Sequence, residues 1–311
     1  MAVFERLRVQ LQDALYLYAV PLIAALLPWA LAWRWLTFWA RRTSGPYEEA
    51  AQSAAAIAPK YLDVGDLGQF RIHARLVWLL DACDLYLSLT RWRRRWWPRH
   101  IERHGDWPAA GVFLAVGFHH GNGHCVFRSL AVSQRDSMLV SARWDREQYR
   151  GLPLRYWYGR LRGWDVARVS GCPVAVRPGV RGTLAAALAA SKPVVGVIDM
   201  PPRLAPRGQR KVRLLGRDAS FPDGLLTLAG EAGIPIVPYW MEFDFARGTR
   251  RFCIGTPLDP NDGPATLQAL ADILDRQIRA APSAWFFWPE WPGWIGGADA
   301  PPAASGGGQA L

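Results

Sequence analysis

The stretch GVFLAVGFHHGNGHC, residues 111–125, decides the fold. Residues 112–116 form a short apolar run, β-branched at both ends, that stops at Gly117; this predicts a buried strand. His119, His120, Gly121, Asn122, Gly123 and His124 follow directly. Three imidazoles and two glycines therefore stand at the carboxyl end of a core strand, the edge where open α/β sheets bind ligands. Imidazole is the side chain suited to taking up a proton near neutral pH. Glycines let a substrate approach the backbone closely.

Downstream of this stretch, strands and helices alternate. Strands are expected over 138–142, 165–169, 193–198, 235–243 and 251–255. Helices are expected over 154–162, 181–190, from Gly224 through Glu231, and over 265–278, the last with one apolar side. The run 193–198 ends in Asp199, a carboxylate at the same functional edge. Between it and Phe221 lies a basic stretch with Arg203, Arg207, Arg210, Lys211 and Arg213, read as a loop. Residues 285–294 are aromatic and proline-rich, read as a docking segment or lip. Residues 298–311 are Pro/Ala/Gly/Ser and expected to be disordered. There are no repeats, no Walker-type loop and no GxGxxG fingerprint.

Upstream, twenty residues over 14–33 carry no charge, between Asp13 and Arg34. As a helix they would span roughly 30 Å, the hydrocarbon thickness of a bilayer. Pro21 and Pro28 would kink it. Tyr16, Tyr18, Trp29, Trp33, Trp35 and Trp39 resemble interfacial belts. Arg34, Arg41 and Arg42 follow the run, which sets the rest of the chain in the cytoplasm. An anchor that dips into one leaflet competes with a full span. Helices are expected over 47–58 and 76–89, and residues 91–100 then alternate Arg with Trp.

Composition limits the choices. The 311 residues favour one large domain with an appendage, and a hydrophobic content of 50% is ample for a core. Seventeen tryptophans fit surfaces that are wet on one side and apolar on the other. A net charge of +11 calls for an anionic membrane, an acidic protein or a nucleic acid. The hydrophobic segment favours lipid over nucleic acid. Cys83, Cys125, Cys172 and Cys253 are scattered without ligand spacing, so neither a metal site nor a disulfide scaffold is expected.

From residue 112 to 288 the chain resembles the bacterial lipid A biosynthesis (lauroyl/myristoyl) acyltransferases, within the glycerolipid acyltransferase superfamily. The resemblance rests on the order of several motifs. These are the strand into Gly117-Phe118-His119, the Arg-rich YGRLRGW, Val-Arg-Gly before an Ala/Leu helix, and Val-Ile-Asp199-Met. Leu214-Leu215-Gly216, Glu-Ala-Gly, Pro-Ile-Val-Pro and Ala-Pro-Ser-Ala-Trp285 follow in turn.

The resemblance implies a three-layer αβα domain over 106–297, preceded by an N-terminal membrane-anchoring helix in 1–43 and a helical, basic and aromatic region in 44–105. It implies acyl transfer from an acyl carrier protein or CoA thioester to a hydroxyl or amine of a membrane lipid, at the cytoplasmic face of the bacterial inner membrane. No resident cofactor is implied, and nucleic acid is not a partner. The acceptor belongs to lipid A-like or other specialised lipids, including pigment pathways. His119 would be the general base. Amides around Gly121, Asn122 and Gly123 would meet the oxyanion, and Arg177 and Arg181 would hold phosphate.

One position departs from the family. The residue five after the histidine is an acid there; here it is His124, which is counted with His119 and Asp199 among the candidate catalytic residues. Three readings follow. Asp199 or another acid supports His119, or Asn122 orients it, or the site is catalytically degenerate.

Overall fold

The structure is a computed structural model that describes residues 3–43, 45–90, 101–121, 123–141 and 146–295. Asn122, the Arg/Trp run 91–100, the last residue of the expected strand 138–142 and the tail 298–311 lie outside the described residues.

The architecture is α/β. Among the described residues, seven strands form one sheet: β1 (Glu102–His104), β2 (Leu114–Gly117), β3 (Met138–Ser141), β4 (Ala175–Val176), β5 (Val194–Val197), β8 (Ile236–Asp244) and β9 (Thr249–Ile254). Their order is β1-β9-β8-β2-β5-β3-β4. All neighbours are parallel except β8 and β9. β2 is central, and the strands that follow it go to both sides.

Helices cover both faces because strand residues alternate in direction. Leu114, Val116, Val194 and Ile236 face one apolar cluster. There they meet α8 (Arg181–Ala189), α9 (Gly224–Ala232) and α10 (Gly263–Ala280) through residues such as Leu184, Leu226 and Leu270. Phe113, Ala115, Val195 and Val237 face the other cluster. It is closed by α5 (Leu67–Thr90), α6 (Cys125–Val132) and α7 (Pro153–Ser170), through Leu80, Val126 and Val166.

The amino-terminal segment joins this second core. A continuous helix runs from Phe4 to Leu26: α1 (Val3–Asp13), π-helical turns over Ala14–Ala19, and α2 (Val20–Leu26). The expected single helix over 14–33 is broken. Leu27 is extended with ψ 155°, the conformation forced on a residue before proline, and α3 (Trp29–Ala40) starts after Pro28. Pro21 causes no break: it directly follows the π-helical turns over Ala14–Ala19, where the regular α-helical ladder is already interrupted. Tyr16, Leu17, Val20, Ala24 and Ala25 are buried against the sheet's helices.

Two further expectations are corrected. Residues 165–169 are the last turns of α7 and not a strand. Asp165 turns inward, accepting hydrogen bonds from Ser88 Oγ at 2.6 and 2.8 Å and from Arg128 Nη2 at 3.1 Å. Helix α7 ends only at Gly171, whose φ of +70° forms the left-handed cap. The basic stretch after Asp199 is not all loop. Strands β6 (Gln209–Leu214) and β7 (Arg217–Pro222) form a hairpin turning on Leu215 and Gly216, both with positive φ.

Helix α4 (Glu48–Ile57) lies where a helix was expected. The tryptophans of the carboxyl-terminal aromatic segment are interior packing. Trp285, Trp288, Trp291 and Trp294 are all buried, with neighbouring ring centroids 5.0 to 5.9 Å apart. Edge contacts at such distances are the favoured geometry for indoles.

Candidate active site

The register of β2 and β5 brings two distant residues together. Gly117 pairs with Val197 at the carboxyl ends of these parallel strands. His119 and Asp199 each lie two residues beyond that pair, so they emerge side by side. His119 Nδ1 is 2.9 Å from Asp199 Oδ1, and the His119 backbone N–H lies 2.9 Å from both carboxylate oxygens. An ionised carboxylate only accepts, so the Nδ1 carries the proton and the other ring nitrogen is left as the base. Asp199 is fully buried, while the His119 side chain is 20% exposed and lines a large cavity. The Trp285 indole N–H donates to Asp199 Oδ2 at 3.1 Å. The carboxylate is thus held by three donors on two elements.

Glycine at 117 has a steric cause. A Cβ there would stand 2.3 Å from Cζ of Tyr239, which crosses from β8. Tyr239 also lines the cavity, and burial, with the charge of Asp199 adding, pushes its phenol well up. It is a neutral hydroxyl at neutral pH.

The other two histidines have different partners. His120 is buried; its Nε2 lies 3.0 Å from the Ala281 carbonyl, so Nε2 carries the proton. Burial pushes its pKa down to about 4. His124 faces a cation: Arg162 Nη2 donates to its Nδ1 at 2.7 Å. A guanidinium cannot accept, so that Nδ1 is unprotonated. Burial, and then the Arg162 charge, hold His124 well below the usual imidazole range. Arg162 in turn is buried and paired with Asp81 from α5.

Gly121 is held in a tight place. Gly121 has φ +70°, and a Cβ there would meet the Phe243 ring at 2.5 Å. Its N–H, expected among the oxyanion donors, is instead given to the Ala284 carbonyl at 2.9 Å. Gly121 and Gly123 both line the cavity. Asn122 lies outside the described residues.

The cavity has a volume of about 860 Å³ and is walled mainly by apolar side chains, among them Phe118, Phe127, Leu139, Val166, Leu225 and Phe287. Phe287 packs its ring edge-on to His119, with centroids 4.4 Å apart. Cations stand around it: Arg177, Arg181, Arg203 and Arg207. Arg181 pairs with Glu231 and Arg203 with Glu290, both at the surface. The arrangement is a supported imidazole base beside a large, mainly apolar cavity with a cationic border. Among the described residues, no His, Cys, Asp and Glu group is arranged to hold a metal ion.

Sequence reasoning offered Asp199 as one possible support for His119 among several readings, and the two side chains stand 2.9 Å apart. It missed Tyr239, Arg162 and Asp81. An acid inside an apolar helical face, as Asp81 and Asp84 are in α5, was the available signal for a buried ion-pair layer. Asp84 meets Arg250 of β9 through two bonds of 2.6 and 2.8 Å, both side chains buried.

No family model matches the chain, and no curated protein matches it in sequence. Among solved structures, the 1-acyl-sn-glycerophosphate (LPA) acyltransferase PlsC from Thermotoga maritima is similar at 12% identity and a TM-score of 0.34. The match covers 75% of this chain and 95% of that one. A likeness of that size leaves the reading of the site to its own geometry.

Proposed function

We propose that the protein is a membrane-associated acyltransferase that moves a fatty acyl group from a thioester to a hydroxyl or amine of a lipid acceptor. The observation that carries this reading is the buried Asp199 carboxylate orienting His119 at the edge of an apolar cavity. In the reaction, the free nitrogen of His119 takes the acceptor's proton as its oxygen or nitrogen attacks the thioester carbonyl. Asp199 stabilises the imidazolium that forms. The tetrahedral intermediate then collapses, the C–S bond breaks, and the thiolate takes the proton back from His119. The apolar walls hold the acyl chain. Arg177 and Arg181 are offered for phosphate on donor or acceptor. The donor is an acyl carrier protein, to which the basic chain is complementary, or CoA. The acceptor is lipid A-like or another specialised lipid at the cytoplasmic face of the inner membrane, and the domain is read as a three-layer αβα member of the glycerolipid acyltransferase superfamily.

His124 in place of the family's acid favours a second reading, a lipid-binding protein without turnover. One experiment separates them. Purified protein is incubated with labelled acyl carrier protein or acyl-CoA and total membrane lipid, beside His119→Ala and Asp199→Asn. Labelled lipid product that disappears in both variants supports the enzyme. Acyl chains retained but never transferred would leave the binding protein.

A further inference from the structure

We propose that the outer face of α7, with the free face of α1 beside it, is the surface by which the protein lies on an anionic lipid bilayer. Four residues of α7 are exposed: Pro153, Trp157, Arg160 and Trp164. Their spacing puts them on one side of the helix, opposite the inward Tyr158, Arg162, Asp165 and Val166. Trp157 is 62% and Trp164 56% exposed. Of the thirteen described tryptophans only these two are exposed; the other eleven are buried or half-buried. Tyr156 meets Trp157 edge-on and Arg168 lies over the Trp164 ring, yet both indoles stay more than half exposed, with Arg160 between them. Indole and guanidinium together match the lipid headgroup layer, where one end of the ring is apolar and the other wet.

Helix α1 carries a similar stripe. Phe4, Leu7 and Leu11, at helical spacing, are 86, 62 and 72% exposed. The two stripes are fastened together. Arg155 Nε donates to both oxygens of Asp13 at 3.0 Å, Tyr18 Oη to the Leu154 carbonyl at 2.7 Å, and Gln10 to the Gly151 carbonyl. An exposed apolar patch of this extent marks an interaction surface. Charge selects the occupant: the exposed charges on α1 and α7 are Arg6, Arg8 and Arg160 against Glu5 alone. A surface of that sign fits anionic lipid.

The geometry also sets the orientation. The Phe4–Leu26 helix is long and apolar enough to cross a bilayer, yet its other side, with Tyr16, Leu17, Val20 and Ala24, is part of the protein core. With that side packed into the protein core, the helix presents its exposed apolar side to the bilayer in the manner of an interfacial helix. Helix α7 then stands between lipid and cavity, since Arg162 and Val166 on its inner face line the cavity.

The proposal deepens the reading of a membrane-associated lipid enzyme, but its test needs no turnover. Full-length protein is floated with phosphatidylcholine vesicles, with and without phosphatidylglycerol, and its fluorescence is quenched with brominated phosphatidylcholine. Trp157→Ser/Trp164→Ser should weaken binding at least about tenfold and remove most of the quenching. Arg160→Gln should weaken binding about fivefold on the anionic vesicles only, an effect erased by high salt. Turnover on detergent-dispersed substrate should be unchanged in both, which separates failure of the surface from failure of the chemistry. Unchanged vesicle binding and quenching in the tryptophan double variant, with fold confirmed by circular dichroism, would overturn the proposal.

Discussion

His119 and His124 stand five residues apart and differ in what their Nδ1 atoms meet. The first meets a buried carboxylate, the second a buried guanidinium. A carboxylate fixes the tautomer and stabilises added positive charge; a guanidinium opposes it. Residue type alone would have made both candidate bases. The neighbouring strand and helix decide between them. His124 is therefore a structural acceptor for Arg162, and it completes a layer of buried ion pairs that α5, α7 and β9 share.

Four measurements break or sharpen this contrast. The largest effect is on turnover. His119→Ala should lower kcat/KM by about 10²–10⁴, whereas His124→Ala should lower it by less than about tenfold. Equal losses at the two positions would remove the contrast.

Next is stability. Arg162→Met leaves Asp81 buried without its cation and should cost about 3–5 kcal/mol in denaturant unfolding. A cost under about 1 kcal/mol would mean that the pair is not sequestered from water.

The pH response follows. His120 and His124 have folded pKa values below the unfolded value of about 6.5. The unfolded chain therefore binds more protons below that pH. Their contribution is full above about pH 6.5 and is lost as the pH falls through the window toward about 4, on the order of 3 kcal/mol for His120. Imidazole NMR signals of both should stay neutral down to pH 5.

The smallest effect concerns Trp285, a positioning residue for Asp199. Trp285→Phe keeps an aromatic ring and deletes the N–H. A charged-acceptor hydrogen bond of this kind predicts about a tenfold drop in kcat, with KM unchanged and the acidic limb of the rate profile displaced. A variant that changes KM alone would assign Trp285 to the cavity wall instead.

Much of the fold was legible because the central strands are dense apolar runs with clear stops. The strands around residues 114 and 194 and the helices at 181, 224 and 263 lie where periodicity put them. The stretch 165–169 misled because its β-branched content suits a strand, while the bonds of Asp165 to Ser88 and Arg128 keep it helical. The hairpin was hidden by a Leu-Gly turn in place of the usual Asn-Gly signal. The break at Pro28 was announced by the proline itself, yet a run without charges masks it. For the site, residue types at strand ends were readable, but the pairing of His119 with Asp199 depends on which strand neighbours which. No local pattern encodes that across a separation of eighty positions.

The shared offset of His119 and Asp199 from one ladder pair has a consequence for searching sequences. Support for the imidazole comes from across the sheet, so the loop after it needs no acid, and His124 there serves as a ligand for Arg162. A linear signature that insists on a carboxylate in that loop will pass over such chains. Screens for them should compare what sits two steps past each of two adjoining parallel strands.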